Sequence, residues 1–278
     1  KIIRRPEGGE DKMTQIIAIL QARLGSTRLP GKSMAELNGK PLLWHVIQRL
    51  KKSKTINRIV VATTTNEADN KIAQFAKDEG VGYFQGSEND VLDRYYQAAK
   101  ANGASKGDVI VRVTADCPLL DPEVVDNVVR KFVEANETDE KYDYVCNTQP
   151  PTYPDGLDTE VFSFSILERA WKEAKLQSER EHVTPYIWKQ PDKFRIFNVT
   201  NDEGEDLSEM RWTVDEPQDL EFIRMIYKLL GEKGKTHSFT RKDVLEAIEQ
   251  NKKVTEINKG FGRNEGYEKS VREDKKVG

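Results

Sequence analysis

The chain has 278 residues, with 44 Lys and Arg against 47 Asp and Glu, a formal net charge of -3 and 37% hydrophobic residues. That length allows one large α/β domain or two small ones, and the near-balanced charge, with a sequence pI of about 5.9, argues against a nucleic-acid coat or an acidic-membrane binder. No apolar stretch approaches a membrane span, and Cys117, Cys146 and the three histidines are too scattered for a disulfide framework or a Cys/His metal site, which fits a cytoplasmic protein.

Residues 1–12, KIIRRPEGGEDK, lack the apolar core of a signal peptide and are read as a leader or expression remnant ahead of Met13. IIAIL (16–20) then predicts a buried strand, PLLWHVIQRLKKS (41–53) a helix opened by Pro41, and RIVVATT (58–64) a strand. EADNKIAQFAKDEG (67–80) and NDVLDRYYQAAKANG (89–103) predict helices that each end in glycine. DVIVRVTAD (108–116) reads as a strand, DPEVVDNVVRKFVEAN (121–136) as a helix and YDYVCNT (142–148) as a strand.

The second half is less regular. TEVFSFS (159–165) alternates like a strand with one wet face, 166–175 and 178–190 are helical, and FRIFNV (194–199) is a strand. RWTVDEPQDLEFIRMIYKLLGEKG (211–234) passes from a strand into a long helix. The alternation predicts an α/β fold, a mostly parallel sheet flanked by helices, in one domain over residues 13–250. Residues 251–278 form a polar, weakly patterned tail that reads as peripheral. Right-handed crossovers collect the strands' C-terminal ends on one edge, where ligands bind.

Two loops at that edge carry the chemistry. QARLGSTRLPGKS (21–33) ends in Gly-Lys-Ser like an ATPase phosphate loop, but the first glycine of that motif belongs at position 26, which is Ser26. Arg23, Arg28 and Lys32 repel one another unless an anion joins them. Peptide N–H groups around Gly25 and Ser26 suit a phosphate cradle; the alternative is a solvated basic turn. In VTADCPLLDP (113–122), Asp116 just past a strand is a plausible Mg²⁺ ligand, whereas Asp121 before Pro122 reads as a helix cap. Asp215 in WTVDEPQDLEF is an N-cap taken alone and the second carboxylate of a metal site if it meets Asp116. Asp155, Asp158 and Glu160, around the Gly156 turn, and Arg180 and His182, in SEREHVTPYI, are candidate acceptor-binding groups.

Other signatures fail. EGVGYFQG (79–86) and GFGRNEG (260–266) have the wrong glycine spacing for a dinucleotide fingerprint. There is no Gly-x-Ser-x-Gly and no His-Glu-x-x-His. The absence of Asp-x-Asp counts against a glycosyltransferase, the rival enzyme class beside an ATPase; a non-catalytic nucleotide-binding module is the third alternative.

Taken together, QARLGSTRLPGK resembles the signature loop of the CMP-sugar cytidylyltransferases, above all the 3-deoxy-manno-octulosonate enzymes. VTADCPLLDP, YPDGLDTEVF, EREHVTPY and WTVDEPQDLEF resemble the spore-coat polysaccharide biosynthesis branch of that family, over about Gln15 to Lys228. The resemblance implies Mg²⁺-dependent transfer from CTP to a small acceptor, on a Rossmann-like nucleotide-diphospho-sugar transferase fold, in a homodimer with the middle β-segment as dimer arm or lid. It implies that Ala22, Arg23, Gly25, Ser26, Arg28 and Lys32 contact the nucleotide, that Asp93 and Arg94 lie near it, and that Asp116 and Asp215 hold the metal. Where the sugar synthetases carry Gly-Asp-Glu-Pro this chain has Ala115-Asp116-Cys117-Pro118, which argues against octulosonate as the acceptor.

Overall fold

The computed structural model describes residues 14–201 and 204–277, so the leader expected over residues 1–12 lies outside the described residues. The first half runs β1 (Ile16–Gln21), the short pair β2 (Glu36–Leu37) and β3 (Lys40–Pro41), α1 (Leu42–Leu50), β4 (Arg58–Thr64), α2 (Asn70–Asp78), β5 (Gly82–Gly86), α3 (Val91–Ala101), β6 (Val109–Thr114) and α4 (Pro122–Asn136). The second runs β7 (Tyr144–Cys146), β8 (Glu160–Ser163), α5 (Phe164–Glu173), α6 (Gln177–His182), α7 (Pro185–Trp188), β9 (Ile196–Asn198), α8 (Pro217–Glu232), α9 (Arg241–Gln250) and α10 (Glu265–Arg272).

Seven strands form one sheet in the order β5-β4-β1-β6-β8-β7-β9, with β8 alone antiparallel to its neighbours. The apolar run of β1 is explained by this placement. Ile16, Ala18 and Leu20 enter the core on one face, Ile17 and Ile19 the core on the other, as a strand covered by helices on both sides requires. The order reverses between β1 and β6: β4 and β5 extend one side of β1, and the chain then returns to lay β6 on the other. A crevice opens at that point beyond the strand ends.

Several boundaries differ from the sequence reading. EGVGYFQG contributes the edge strand β5, which two glycines and the flanking helix obscured. The helix expected over 178–190 breaks in two at Val183, whose φ is 73°. No regular strand forms at 211–215; the segment makes one bridge, Asp155 to Arg211. The segment at 159–165 has no wet face: within β8, Glu160, Val161 and Phe162 are all buried between β6 and β7. The strands of the middle segment are members of the main sheet and do not project from it as an arm. Among the described residues no helix is long and apolar enough to cross a membrane.

Candidate active site

β1 and β6 deliver their following loops side by side. The loop after β1 folds on itself through Ser26 N–H and Gly31 N–H, both donating to Leu24 O at 2.9 Å. Gly31 has a φ of 75°, a turn conformation that glycine adopts without Cβ strain. Leu24 N–H donates to Asp69 Oδ1 at 2.8 Å, tying the loop to the turn after β4. Ser33 Oγ donates to Arg23 O at 3.1 Å and is buried, so the Gly-Lys-Ser sequence closes the loop and does not open a long helix as a phosphate loop would. The peptide N–H groups of Gly25, Thr27 and Arg28 donate to no partner among the described residues.

Lys32 reaches across the crevice. Its Nζ lies 2.7 Å from Asp116 Oδ2, 2.7 Å from Asp215 Oδ1 and 2.9 Å from Val214 O. The 213–215 segment is set in place by Val214 N–H donating to Asp116 O at 2.8 Å. Asp215 is not the helix cap that its position suggested. Asp219 Oδ2 accepts from Asp215 N–H and Glu216 N–H at 3.0 and 2.9 Å, which leaves the Asp215 carboxylate facing Lys32. Burial alone would raise the Asp116 carboxyl, but the Lys32 ammonium outweighs it and holds the pKa at about 2. Burial opposes the charge on Lys32; the two carboxylates overcome it and hold the ammonium above the ordinary lysine range.

Around this centre opens a cavity of about 550 Å³. Ala22, Arg23, Ser26, Arg28 and Lys32 line it, with Arg94, Asp116 and Asp215. Arg28 pairs with Asp215 at 3.0 Å and Glu216 at 3.3 Å, and Arg23 with Glu88 at 3.3 Å. Arg94 is buried; its Nη1 donates to Ser87 O, and its Nε is buried without a hydrogen-bond partner among the described residues. Gly25 sits in the same loop beside Glu88.

Next to Asp215, and joined to it through Arg211, stand two further acids. Asp155 and Asp158 line the cavity on the turn at Gly156, whose φ is 110° and where a Cβ would fall 2.7 Å from the Trp212 backbone. Arg211 Nη1 lies 3.6 Å from Asp155, while Nε and Nη2 each donate to Asp219 at 2.9 Å. Burial first, then the like charge of Asp158, pushes the Asp155 carboxyl up to about 7, with Arg263 and Arg211 offsetting part of the rise. Burial likewise raises Asp158, against the Arg263 guanidinium that donates to it. His182 also lines the cavity and is held down to about 4 by burial.

Three residues expected at the site are used elsewhere. Asp93 accepts from Trp171 Nε1 at 2.8 Å and Gln97 Nε2 at 3.1 Å, bracing α3 on α5. Arg180 donates to Asp90 Oδ2 at 2.7 Å and to the Trp171 and Ala174 carbonyls, so it holds helices together. Glu160 is interior, bound by Arg112 at 2.5 Å, Tyr144 at 2.7 Å and Thr184 at 2.8 Å. It orients Arg112, which does line the cavity and which the sequence disguised as an ordinary strand residue. The tail is not peripheral either. Gly262 and residues 264–267 line the cavity, and Arg263 donates to Tyr153 O at 3.0 Å as well as to Asp158.

Known proteins resemble the chain in sequence and in fold. The family model described as Cytidylyltransferase matches residues 17–260. The chain is 38% identical over 247 residues to the uncharacterized protein MJ1063 of Methanocaldococcus jannaschii, spanning 88% of this chain and 94% of that one. It is 32% identical over 226 residues to the spore coat polysaccharide biosynthesis protein SpsF of Bacillus subtilis, spanning 80% and 90%. The solved structure of a cytidylyltransferase from Leptospira borgpetersenii matches with a TM-score of 0.80 and 33% identity, over 90% of this chain and 100% of that one. The fold is the Rossmann-like nucleotidyltransferase fold; the chain belongs to the cytidylyltransferase family and is a CTP-using nucleotidyltransferase.

Proposed function

We propose that an acceptor oxygen, from a sugar hydroxyl, a phosphate or a phosphonate, attacks the α-phosphorus of CTP on this chain. The bond from that phosphorus to the α–β bridging oxygen breaks, and pyrophosphate leaves a CMP- or CDP-linked product. The observation that carries the reading is the Lys32 ammonium held by Asp116 and Asp215 at the strand-order reversal, beside a loop with free peptide donors. In this reading the peptide N–H groups of Gly25, Thr27 and Arg28 cradle the triphosphate beside the Ser26 side chain, and Arg23, Arg28 and Lys32 neutralise charge that builds on the departing pyrophosphate. Arg94, buried with an unmatched Nε, is a further anion contact. Asp155 and Asp158 receive the acceptor, and burial and mutual repulsion raise this pair so that it can take a proton from the acceptor.

The donor set suits magnesium. Among the described residues no group of three or more His, Cys, Asp or Glu side chains is placed to hold a metal. Two carboxylates completed by phosphate oxygens and water are what Mg²⁺ takes, and Asp116 and Asp215 would hold it. Held there, it would supply charge neutralisation and polarisation at the α-phosphate. Lys32 would then pass from the carboxylates to the triphosphate.

A role in surface polysaccharide or phosphonate-type biosynthesis, a cytoplasmic location and a homodimer complete the proposal. The half-buried strand β9 lies at the sheet edge and, among the described residues, has no strand on its outer side, where a second copy could pair. The test is pyrophosphate release with CTP, UTP, ATP and GTP in turn, with Mg²⁺ and a panel of acidic sugars, phosphonates and phosphorylated metabolites. Acceptor-dependent release with CTP supports the reading. Acceptor-independent phosphate release from ATP overturns it.

A further inference from the structure

We infer that residues 262–276 form a strap that builds the acceptor half of the active site, with Arg263 as its positioning residue and the Tyr267 hydroxyl as a hydrogen-bond partner for a hydroxyl-bearing acceptor. The inference rests on the CTP-and-acceptor reading above. The segment lies beyond the residues that the family match covers, 17–260, and yet it walls the cavity.

It is fastened on both sides of the opening. On one side, Arg211 Nη1 donates to Gly262 O at 3.0 Å, and Arg263 joins Tyr153 O and Asp158. On the other, Asp274 accepts from Ser178 N–H at 3.0 Å and Ser178 Oγ at 2.7 Å, and Lys276 bridges to Leu176. Between these anchors α10 crosses over α6, with Ser270 Oγ 3.0 Å from His182 Nε2 and the Tyr267 ring edge-on to His182 at 5.0 Å. None of the residues of α10 is buried, so the strap does not exist to complete a hydrophobic core.

Two features point to what it binds. The Tyr267 hydroxyl is buried without a hydrogen-bond partner among the described residues, although the residue lines the cavity. A buried hydroxyl without a partner costs free energy until a ligand group supplies one. Arg263, brought from outside the family core, sits on Asp158, whose carboxylate shares the wall with Asp155. Without that guanidinium the two acids repel more strongly, and Arg211, 3.6 Å from Asp155, remains as the counter-charge beside the turn. The pairing leaves the acceptor wall without the surplus positive charge that a strongly anionic acceptor would need, and it favours hydroxyl groups.

The test uses full-length protein and the variants Arg263→Ala, Arg263→Lys and Tyr267→Phe. The first readout is CTP affinity with Mg²⁺ by calorimetry. The second is CTP hydrolysis with water as the only acceptor: water oxygen bonds to the α-phosphorus, pyrophosphate leaves, and the proton goes to solvent. In Arg263→Ala, CTP affinity stays within twofold of wild type while water-dependent pyrophosphate release rises at least fivefold, because the opened wall admits water; Arg263→Lys restores the wild-type value. Tyr267→Phe leaves the melting temperature unlowered, since the hydroxyl supports no internal bond. Unchanged hydrolysis in Arg263→Ala, undetectable in both included, overturns the inference, as does a CTP affinity that falls in step with the change in hydrolysis. A melting temperature lowered by Tyr267→Phe makes that hydroxyl structural and overturns its binding role. Failure of the wild type to bind CTP overturns the underlying reading instead, and the inference with it.

Discussion

Lys32 Nζ and Asp215 Oδ1, 183 residues apart in the chain, lie 2.7 Å apart. The contact joins the first loop of the sheet to the entry of α8, and Asp116 makes it a triad at the same distance. A mostly buried ammonium between two carboxylates satisfies all three groups, and removing the centre leaves like charges facing each other.

Lys32→Ala therefore carries two expected losses. Pyrophosphate release with CTP falls about 10²- to 10³-fold, the usual cost of deleting one preorganised stabilising group. The melting temperature falls as well, because Asp116 and Asp215 lose their counter-charge. A pyrophosphate-release assay and a thermal melt check both; wild-type turnover in this variant removes Lys32 from the reaction.

Arg211→Ala is expected to be among the most destabilising single changes, by about 3–5 kcal/mol, the range for breaking a buried ion pair. Arg211 is 8% exposed and Asp219, which it holds with two bonds, is 0% exposed. Urea unfolding measures the loss. A cost below 1 kcal/mol contradicts the assignment of Asp219 as a buried, paired carboxylate.

The Asp155 carboxyl, raised from 3.8 to about 7 by burial and then by Asp158, makes stability depend on pH. The folded chain binds this proton more tightly than the unfolded chain does. Its contribution is complete below about pH 4 and is lost as pH rises through 7. Asp155→Asn, which cannot ionise, is more stable relative to wild type at pH 8 than at pH 5. Urea titrations at the two values test this, and equal differences would contradict it.

His182 works in the opposite direction. Burial lowers it from 6.5 to about 4, so its contribution is present above pH 6.5 and is lost as pH falls toward 4. Protonation adds a buried charge beside Ser270 and Tyr267, where α10 crosses. In His182→Gln the drop in melting temperature between pH 7 and pH 5 is smaller than in wild type. An identical drop assigns the acid sensitivity to other groups; His45, lowered to about 4 by burial, is the first of them.

Much of the fold was legible because buried parallel strands read as uninterrupted apolar runs and helices as capped periodic ones. Asp121 and Pro122 open α4 as expected. The candidate site was legible in part: a strand ending in a polar loop marks the sheet edge, which pointed to Lys32 and Asp116. Nothing local distinguishes Asp93 from a nucleotide contact, because its partner Trp171 is 78 residues away. Arg180 is likewise occupied by Asp90, 90 residues away. Arg112 sits in a strand at a position that local pattern assigns to solvent or core. The segment over 262–276 was missed for a related reason: it is held by polar contacts to distant residues, and its helix has few apolar residues and buries none.

Asp116 and Asp215, bridged by Lys32, are proposed as the place where metal and CTP meet. The most direct test is Mn²⁺ uptake, followed by electron paramagnetic resonance, with and without CTP, in wild type and in Asp116→Asn and Asp215→Asn. CTP-dependent uptake by the wild type is expected, with at least a tenfold weaker response in either variant. CTP-dependent uptake of wild-type strength in both variants would place the metal elsewhere.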